Sequence, residues 1–360
     1  GYTDFKFLGE TSKKIFDREA LIGASITGWM NNPDVLFDAE VLEEGAQIVR
    51  EVNREVAEAI GINPAARTTC VKPSGNASVL LQTGSGIHAE HSEMYIRNVQ
   101  MTKDSEVTAA IQKSNPFMVE DSVWSATGSD VVVSFPILPK KGSIFKDDLL
   151  GVDHLEKVKL AQKHWVEAGT NIELCADEGV RHNVSNTIIV DDWDKVEKYV
   201  FENRHSFAGI SFLPPTGDKD YNQAPNTAVI SAKEMVKKYD TAAIFASGLV
   251  VDGLDAFPNL WQACATAQGM GDDLSLETSD NAMKKDWVRR FNSFAENYLD
   301  GDVKQAEYCL KDSYLLHKWN KINKNFKTIT WEEDLTEKKY TEVDTLGAAA
   351  CAGGECEIDF

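Results

Sequence analysis

Two cysteines near the end of the chain, Cys351 and Cys356, have the spacing of a pair that could exchange thiols for a disulfide. The Gly353-Gly354 step between them lets the backbone fold back until the sulfur atoms reach disulfide distance. The surrounding segment offers almost no apolar side chains that could pack in a core. These features favour a mobile redox pair, and the alternative is two free surface thiols without a role.

A second candidate site follows the apolar run at Cys70, where the chain turns through Pro73-Ser74-Gly75 and resumes as an apolar segment. If a helix opens near Asn76, its first amide groups are unpaired donors at the positive end of the helix dipole and can hold phosphate oxygens. The predicted phosphate-binding residues are Ser74, Gly75, Asn76, Ala77 and Ser78. The segment lacks the glycine spacing and the Lys-Ser/Thr step of a P-loop. An ordinary capped turn between a strand and a helix is the alternative.

The run Gly84-Ser85-Gly86-Ile87-His88 follows after one short predicted helix. Its two glycines could bring backbone close to the same ligand, because glycine allows close approach. A simple helix stop explains them equally well.

The elements that must position these residues alternate between helices and strands. Apolar periodicity predicts helices over 38–60 and 153–168, and short strands are predicted over 68–72 and 131–136. The first helix should carry one apolar stripe, formed by Val41, Leu42, Ala46, Val49, Val52 and Val56. Between 183 and 213, a strand, a helix capped by Asp192 and a second strand predict a right-handed βαβ crossover. The predicted fold class is therefore α/β.

The last third of the chain is predicted to be mainly helical from 231 to about 325, and then changes character. Charged residues follow Trp331, and small residues follow Gly347. No core can be built from such a composition, which is typical of a tether. We therefore predict a catalytic part over 1–327 and a flexible tail over 328–360 that carries the cysteine pair.

Composition limits the class of protein. Apolar residues make up 42% of the 360, as in a globular protein, and the formal net charge of -20 argues against a nucleic acid polymer as ligand. No apolar run reaches the length of a membrane span, and no signal peptide is visible. The other four cysteines are scattered and are predicted to be buried thiols, and no Cys/His cluster has zinc spacing, His88 and His91 included. We expect a cytoplasmic protein with no bound metal ion.

Several motifs together resemble one family. They are 71–78, Gly86-Ile87-His88 and Tyr95-Ile96-Arg97, with 181–187, Ser211-Phe212-Leu213-Pro214, 22–28 and the cysteine pair of the tail. In this combination they resemble the adenosylcobalamin-dependent (class II) ribonucleotide reductases, from about residue 15 to the end.

The resemblance implies the second part of a ten-stranded α/β barrel of the ribonucleotide reductase type, with flanking helices. The implied reaction replaces the 2′-hydroxyl of a ribonucleoside di- or triphosphate with hydrogen. Ser74 to Ser78 would bind the substrate's phosphates, and adenosylcobalamin would be the cofactor. Cys351 and Cys356 would reduce the active-site disulfide formed in each turnover, and a thioredoxin-like reductant would reset them.

The chain departs from the family in one respect that affects function. The Asn-Pro-Cys segment with the thiyl-radical cysteine is not in this sequence, and neither Cys70 nor Cys175 should be assigned that role. The chain, which starts at Gly1, is expected to be a fragment or one half of a split protein that is not competent without an N-terminal reductase portion. The alternatives are a fragment of a class I large subunit, and a non-catalytic phosphate-binding or redox module.

Overall fold

A computed structural model describes residues 9–74, 76–215, 223–253 and 279–331. The chain divides into two compact units, one formed by 1–97 with 136–319 and the other by 98–135 with 320–360. The predicted boundary between 327 and 328 stays a prediction, because 332–360 lie outside the described residues. No described helix is both long and apolar enough to cross a membrane.

Helices and strands alternate through the first two thirds of the chain. The strands are β1 (Ala24–Ser25), β2 (Thr69–Cys70), β3 (Tyr95–Thr102), β4 (Val119–Asp121), β5 (Asp130–Ile137), β6 (Thr187–Ile189), β7 (Ser211–Leu213) and β8 (Asn226–Ala228). The helices are α1 (Glu10–Glu19), α2 (Pro33–Leu36), α3 (Ala39–Ile60), α4 (Asn76–Leu80), α5 (Glu106–Ser114), α6 (Gly151–Ala161), α7 (Trp193–Glu202), α8 (Ala232–Tyr239), α9 (Thr241–Gly253), α10 (Ser279–Tyr298) and α11 (Val303–Asn325). A π-helical turn, Gln162–Glu167, continues α6.

Parallel strand pairs with helical connections define the first unit. β1 pairs with β2 across the connection that holds α3, and β6 pairs with β7 across α7, which confirms the predicted βαβ crossover. A parallel bridge between Val71 and Val184 places the end of β2 beside the segment that leads into β6. The fold is therefore α/β, as predicted. The described strands do not close into a ten-stranded barrel.

The core of these strands is closed by α3 and by α6 with its π-helical turn. Trp29, Leu155 and Ile188 are fully buried in this cluster. Burying one such leucine contributes about 2 kcal/mol relative to leaving it in water. The Asp38 carboxylate caps α3 by accepting hydrogen bonds from two amides of its first turn, and Gly61 ends the helix with φ of 72°.

The predicted single stripe on α3 is wrong. Leu42 and Ala46 are buried, whereas Val41, Val52 and Val56 are 45%, 52% and 50% exposed. The apolar residues of this helix cover more than one face, and only one face packs on the core. The other face borders a groove, described below.

The helical prediction for the last third is confirmed within the described residues, through α8 to α11. A capping box between Ser231 and Glu234 opens α8. Phe291 and Leu310, each 1% exposed, lie at the centre of the cluster that these helices share.

The second unit has a small core of its own. β4 and β5 are antiparallel, and β5 confirms the strand predicted over 131–136. Val133 and Met118 pack there with Ile322. Asn115 ties the segment after α11 to this core through hydrogen bonds of 2.9 and 2.7 Å with the backbone of Lys327.

Candidate functional site

Three segments that are distant in sequence meet beside the predicted phosphate-binding turn. They are 25–28, 72–78 and 84–88, and together they are called the loop cluster here. The Thr27 hydroxyl lies at its centre, 3.1 Å from the Ser74 hydroxyl and 2.9 Å from the Gly84 carbonyl oxygen, to which it donates. The Gly86 amide donates to the same Thr27 oxygen at 2.9 Å. One side chain therefore joins all three segments.

The segments approach so closely that two positions admit only glycine. Gly86 has φ of +56°, and a Cβ there would lie 2.9 Å from the Lys72 carbonyl oxygen. Gly28 has φ of +75°, and a Cβ there would collide with the Thr83 hydroxyl. Both conformations are costly for any residue with a side chain. Gly86 therefore allows the 84–88 segment to pack against the backbone at Lys72. That the two glycines of this segment bring backbone close to a ligand stays a prediction.

The predicted phosphate-binding residues differ in their exposure and in the partners of their backbone amides. The Ser74 amide donates to the Ser85 hydroxyl at 3.0 Å, and the Ala77 amide donates to the Ser74 carbonyl at 3.1 Å. α4 opens at Asn76, as predicted, and Ala77 is exposed. Ser78 is 2% exposed and faces the interior. Gly75 lies outside the described residues.

Two residues of this cluster were missed by sequence reasoning. Thr27 lies inside the stretch 22–28, where its hydroxyl and that of Ser25 are the only polar side-chain groups. Ser85 lies between Gly84 and Gly86, whose spacing points to the backbone and not to the serine side chain. Neither side chain has a local pattern that predicts its partner, because each partner is distant in sequence.

A buried polar network stands behind the loop cluster. Asn31, 7% exposed, donates its amide to the Glu90 carboxylate at 2.7 Å and to the Ser143 hydroxyl at 3.1 Å. The Tyr95 hydroxyl donates to the other Glu90 oxygen at 3.0 Å. Burial, together with the Glu90 charge, raises the pKa of Tyr95 well above its usual range, so this hydroxyl stays protonated.

Two histidines hold carbonyl groups of the 84–88 segment. His154 Nε2 lies 3.2 Å from the Ile87 carbonyl oxygen, and His88 Nδ1 lies 3.0 Å from that of Ser85. Each nitrogen must carry the proton, because a carbonyl oxygen can only accept. Burial lowers the pKa of His154 to about 4 and also lowers the pKa of His88. Both rings are therefore neutral donors at neutral pH.

The three cysteines within the described residues favour the protonated thiol over the thiolate. Burial raises the pKa of Cys70, of Cys175 and, to about 12, of Cys309. Cys309 is buried as predicted, but Cys70 and Cys175 are only half-buried. Raised pKa values make poor nucleophiles and poor partners for thiol–disulfide exchange. That neither Cys70 nor Cys175 is the radical cysteine stays a prediction from the sequence. Cys264 and the predicted pair Cys351 and Cys356 lie outside the described residues. Among the described side chains, no cluster of three or more His, Cys, Asp or Glu could hold a metal ion.

An apolar groove of about 710 Å³ lies between α1 and α3. The large apolar side chains that line it include Phe16, Ile22, Ile48, Val52, Val56 and Ile60. These side chains are between 41% and 56% exposed. Such a contiguous apolar surface is typical of an interaction site.

No family model matches the chain. A solved B12-dependent (class II) ribonucleotide reductase superposes on it with a TM-score of 0.52 and 17% identity, over 62% of this chain and 34% of that one. This likeness concerns the fold, which is α/β in the manner of that class.

Two curated relatives make the similarity more specific. A protein of Dictyostelium discoideum, named as a probable adenosylcobalamin-dependent ribonucleoside-triphosphate reductase, is 25% identical over 224 residues, or 59% of this chain and 27% of the relative. The adenosylcobalamin-dependent ribonucleoside-triphosphate reductase of Euglena gracilis is also 25% identical, over 61% of this chain and 28% of the relative. The predicted resemblance to class II ribonucleotide reductases is thus confirmed. The chain spans about a third of the length of these proteins or less.

Proposed function

We propose that this chain is the C-terminal part of an adenosylcobalamin-dependent ribonucleotide reductase that acts in the cytoplasm. The reaction replaces the 2′-hydroxyl of a ribonucleoside di- or triphosphate with hydrogen. The observation that carries the proposal is the loop cluster: the serine turn predicted to bind phosphate is packed against two further segments of the same family resemblance. The sequence similarity to the triphosphate reductases supports the same assignment.

In this proposal the turn that begins at Ser74 binds the phosphates of the substrate through its backbone amides, and the buried side chain of Ser78 supports the turn from the inside. A bound phosphate oxygen replaces the Ser85 hydroxyl as the acceptor of the Ser74 amide, and further amides at the start of α4 add donors. The hydroxyl groups of Ser74 and Ser85 can both donate to the same oxygens. This arrangement needs no lysine or arginine, which suits a chain with a net charge of -20.

Cys351 and Cys356 act as the redox shuttle of this reductase. Each turnover removes the 2′-hydroxyl as water and oxidises two active-site thiols to a disulfide. The thiolate of one tail cysteine attacks that disulfide, and the second tail cysteine then resolves the mixed disulfide. The active site is thereby reduced, and the tail carries a disulfide. A thioredoxin-like dithiol then reduces the tail disulfide to two thiols and is itself oxidised to a disulfide.

The radical cysteine and most of the cofactor site are supplied by an N-terminal reductase portion. Adenosylcobalamin initiates the radical chemistry in this class. The groove between α1 and α3 does not fit this cofactor, because the cofactor carries a rim of amide groups that need hydrogen-bond partners. The groove is lined mainly by apolar side chains, and its two asparagines, Asn53 and Asn63, already bond to backbone of this chain. Together the two portions form the ten-stranded barrel. The apolar groove supports this, since an N-terminal portion that covers it would bury Ile48 and Val52.

The test is reconstitution. The full chain is combined with candidate N-terminal chains that carry an Asn-Pro-Cys segment, and reduction of CTP or CDP is measured with a thioredoxin system. We expect turnover only when adenosylcobalamin is added. Turnover that instead needs a separate radical-generating subunit would assign the chain to class I. Nucleotide binding without turnover in any combination would favour the non-catalytic module.

A matched pair of variants tests the groove. Val52→Asp places a charge in the groove and should weaken association with the N-terminal portion by about tenfold or more. Glu55→Lys changes the charge of the same helix at an exposed position outside the groove lining, and it should leave association unchanged. Equal effects of the two variants would argue against the groove as the contact.

A further inference from the structure

Asn31 lies outside the loop cluster. Its side chain makes four hydrogen bonds, and one of them reaches Gly84 in the cluster. Its carbonyl oxygen accepts from the Gly84 amide at 2.7 Å and from the Thr83 hydroxyl at 2.8 Å. Its amide group donates to Glu90 and Ser143, as described above. Two donors and two acceptor positions are the whole capacity of an asparagine side chain. Any other orientation of Asn31 would therefore break several buried hydrogen bonds.

Glu90 fixes which way the Asn31 side chain points. The carboxylate is 4% exposed and can only accept hydrogen bonds, so it selects the amide nitrogen of Asn31 and turns the carbonyl oxygen toward Gly84. Ser143 acts in the same sense, because its hydroxyl donates to the Lys140 carbonyl and is left to accept from Asn31. Two independent acceptors thus set one orientation.

The bond from Asn31 reaches Ser74 through two residues. Both backbone polar groups of Gly84 are hydrogen-bonded. Its amide donates to Asn31, and its carbonyl oxygen accepts from the Gly28 amide at 2.9 Å and from the Thr27 hydroxyl. The next residue, Ser85, accepts the Ser74 amide at 3.0 Å. The place of the Ser85 hydroxyl at the phosphate-binding turn therefore depends on the bond between Asn31 and Gly84.

We propose that Asn31, oriented by Glu90, is a positioning residue for the phosphate-binding turn. It touches no substrate atom. It acts by holding Gly84, which keeps the Ser85 hydroxyl at the turn until a phosphate oxygen replaces it on the Ser74 amide, and keeps Thr27 beside the Ser74 hydroxyl. The inference rests on the proposed function and adds to it a residue pair that determines substrate affinity from behind the loop.

The test measures binding of sodium tripolyphosphate to the full chain by calorimetry, beside the melting temperature of each variant. Asn31→Ala should weaken binding about tenfold, the factor that corresponds to one lost hydrogen bond. Asn31→Asp should weaken it as well, because two carboxylates would then face each other across the 2.7 Å contact. When Glu90→Gln is added to Asn31→Asp, the amide at position 90 donates to the carboxylate at position 31, so the bond is restored in the opposite direction. This double variant should recover binding to within about threefold of the unchanged chain.

Leu310→Ala is the control for a general loss of stability, because Leu310 is buried in the helical cluster away from the loops. It should lower the melting temperature without changing the affinity. Recovery in the double variant, with unchanged affinity in Leu310→Ala, supports the inference. A double variant that binds no better than Asn31→Asp overturns it. So does full affinity in Asn31→Ala while Ser74→Ala loses binding, and the phosphate site would stand in that case. If the unchanged chain fails to bind tripolyphosphate, the phosphate site falls and the inference falls with it.

Discussion

His154 should make the stability of the first unit depend on pH. Its ring is 4% exposed and is held neutral, with Nε2 donating to the Ile87 carbonyl, and burial lowers its pKa to about 4. In the unfolded chain the pKa returns to about 6.5. As the pH falls below 6.5, the unfolded chain takes up a proton that the folded chain refuses, so stability is lost down to about pH 4 and is fully present above pH 6.5.

The magnitude follows from this difference in pKa. A shift of about 2.5 units corresponds to about 3 kcal/mol in total, of which about 2 kcal/mol is lost between pH 7.5 and pH 5. His154→Gln keeps an N–H donor for Ile87 but does not titrate. Chemical denaturation of both proteins across this range should therefore show the parent losing about 2 kcal/mol more than the variant. Parallel curves would refute the reasoning, since all other titrating groups, including His88, are present in both proteins.

Three further predictions concern other parts of the chain. Arg67→Ala should lower the free energy of unfolding by about 2–3 kcal/mol, because Glu19, 2.8 Å away, would lose its buried partner and keep only the exposed Arg18. Arg18→Ala should cost about 1 kcal/mol or less in the same denaturation assay, because that partner is exposed. Gly86→Ala should destabilise the chain by about 1–3 kcal/mol and abolish tripolyphosphate binding, and normal affinity in calorimetry would contradict the close packing on Lys72. Cys351→Ser combined with Cys356→Ser should abolish turnover of the reconstituted enzyme with thioredoxin but spare turnover with a small dithiol. Equal loss with both reductants would argue against a shuttle role.

Local sequence predicted the elements better than it predicted which faces are buried. Local signals predict α7 with its cap, because a carboxylate, Asp192, precedes a periodic apolar run. The prediction for α3 rests on periodicity alone, and the structure adds that Asp38 is its cap and not its first helical residue. The stripe on α3 was wrong because periodicity shows that a face is apolar but not whether a partner within the same chain covers it. Val52 and Val56 are apolar and exposed, and this combination is visible only once the packing of α3 is known.

The site shows the same division between local and long-range signals. The serine turn and the paired glycines were recognised from spacing within a few residues. Asn31, by contrast, is one of two adjacent asparagines in a segment where a turn is an ordinary reading. Its role comes from Gly84, 53 residues further on, and from Ser143, 112 residues further on.

In the proposed phosphate site, the loop cluster compensates for the shortness of α4. α4 has five residues and a small dipole, so its amides alone are a weak anion site. Thr27, Ser85 and the glycine at 86 hold the residues before α4 in place without a ligand, and therefore less ordering would remain to be done when a phosphate binds. In the proposed site, affinity therefore depends on the residues behind the loop as well as on those that face the ligand. For this reason the reversed pair at Asn31 and Glu90 is a sharper test of the site than removal of any single serine hydroxyl.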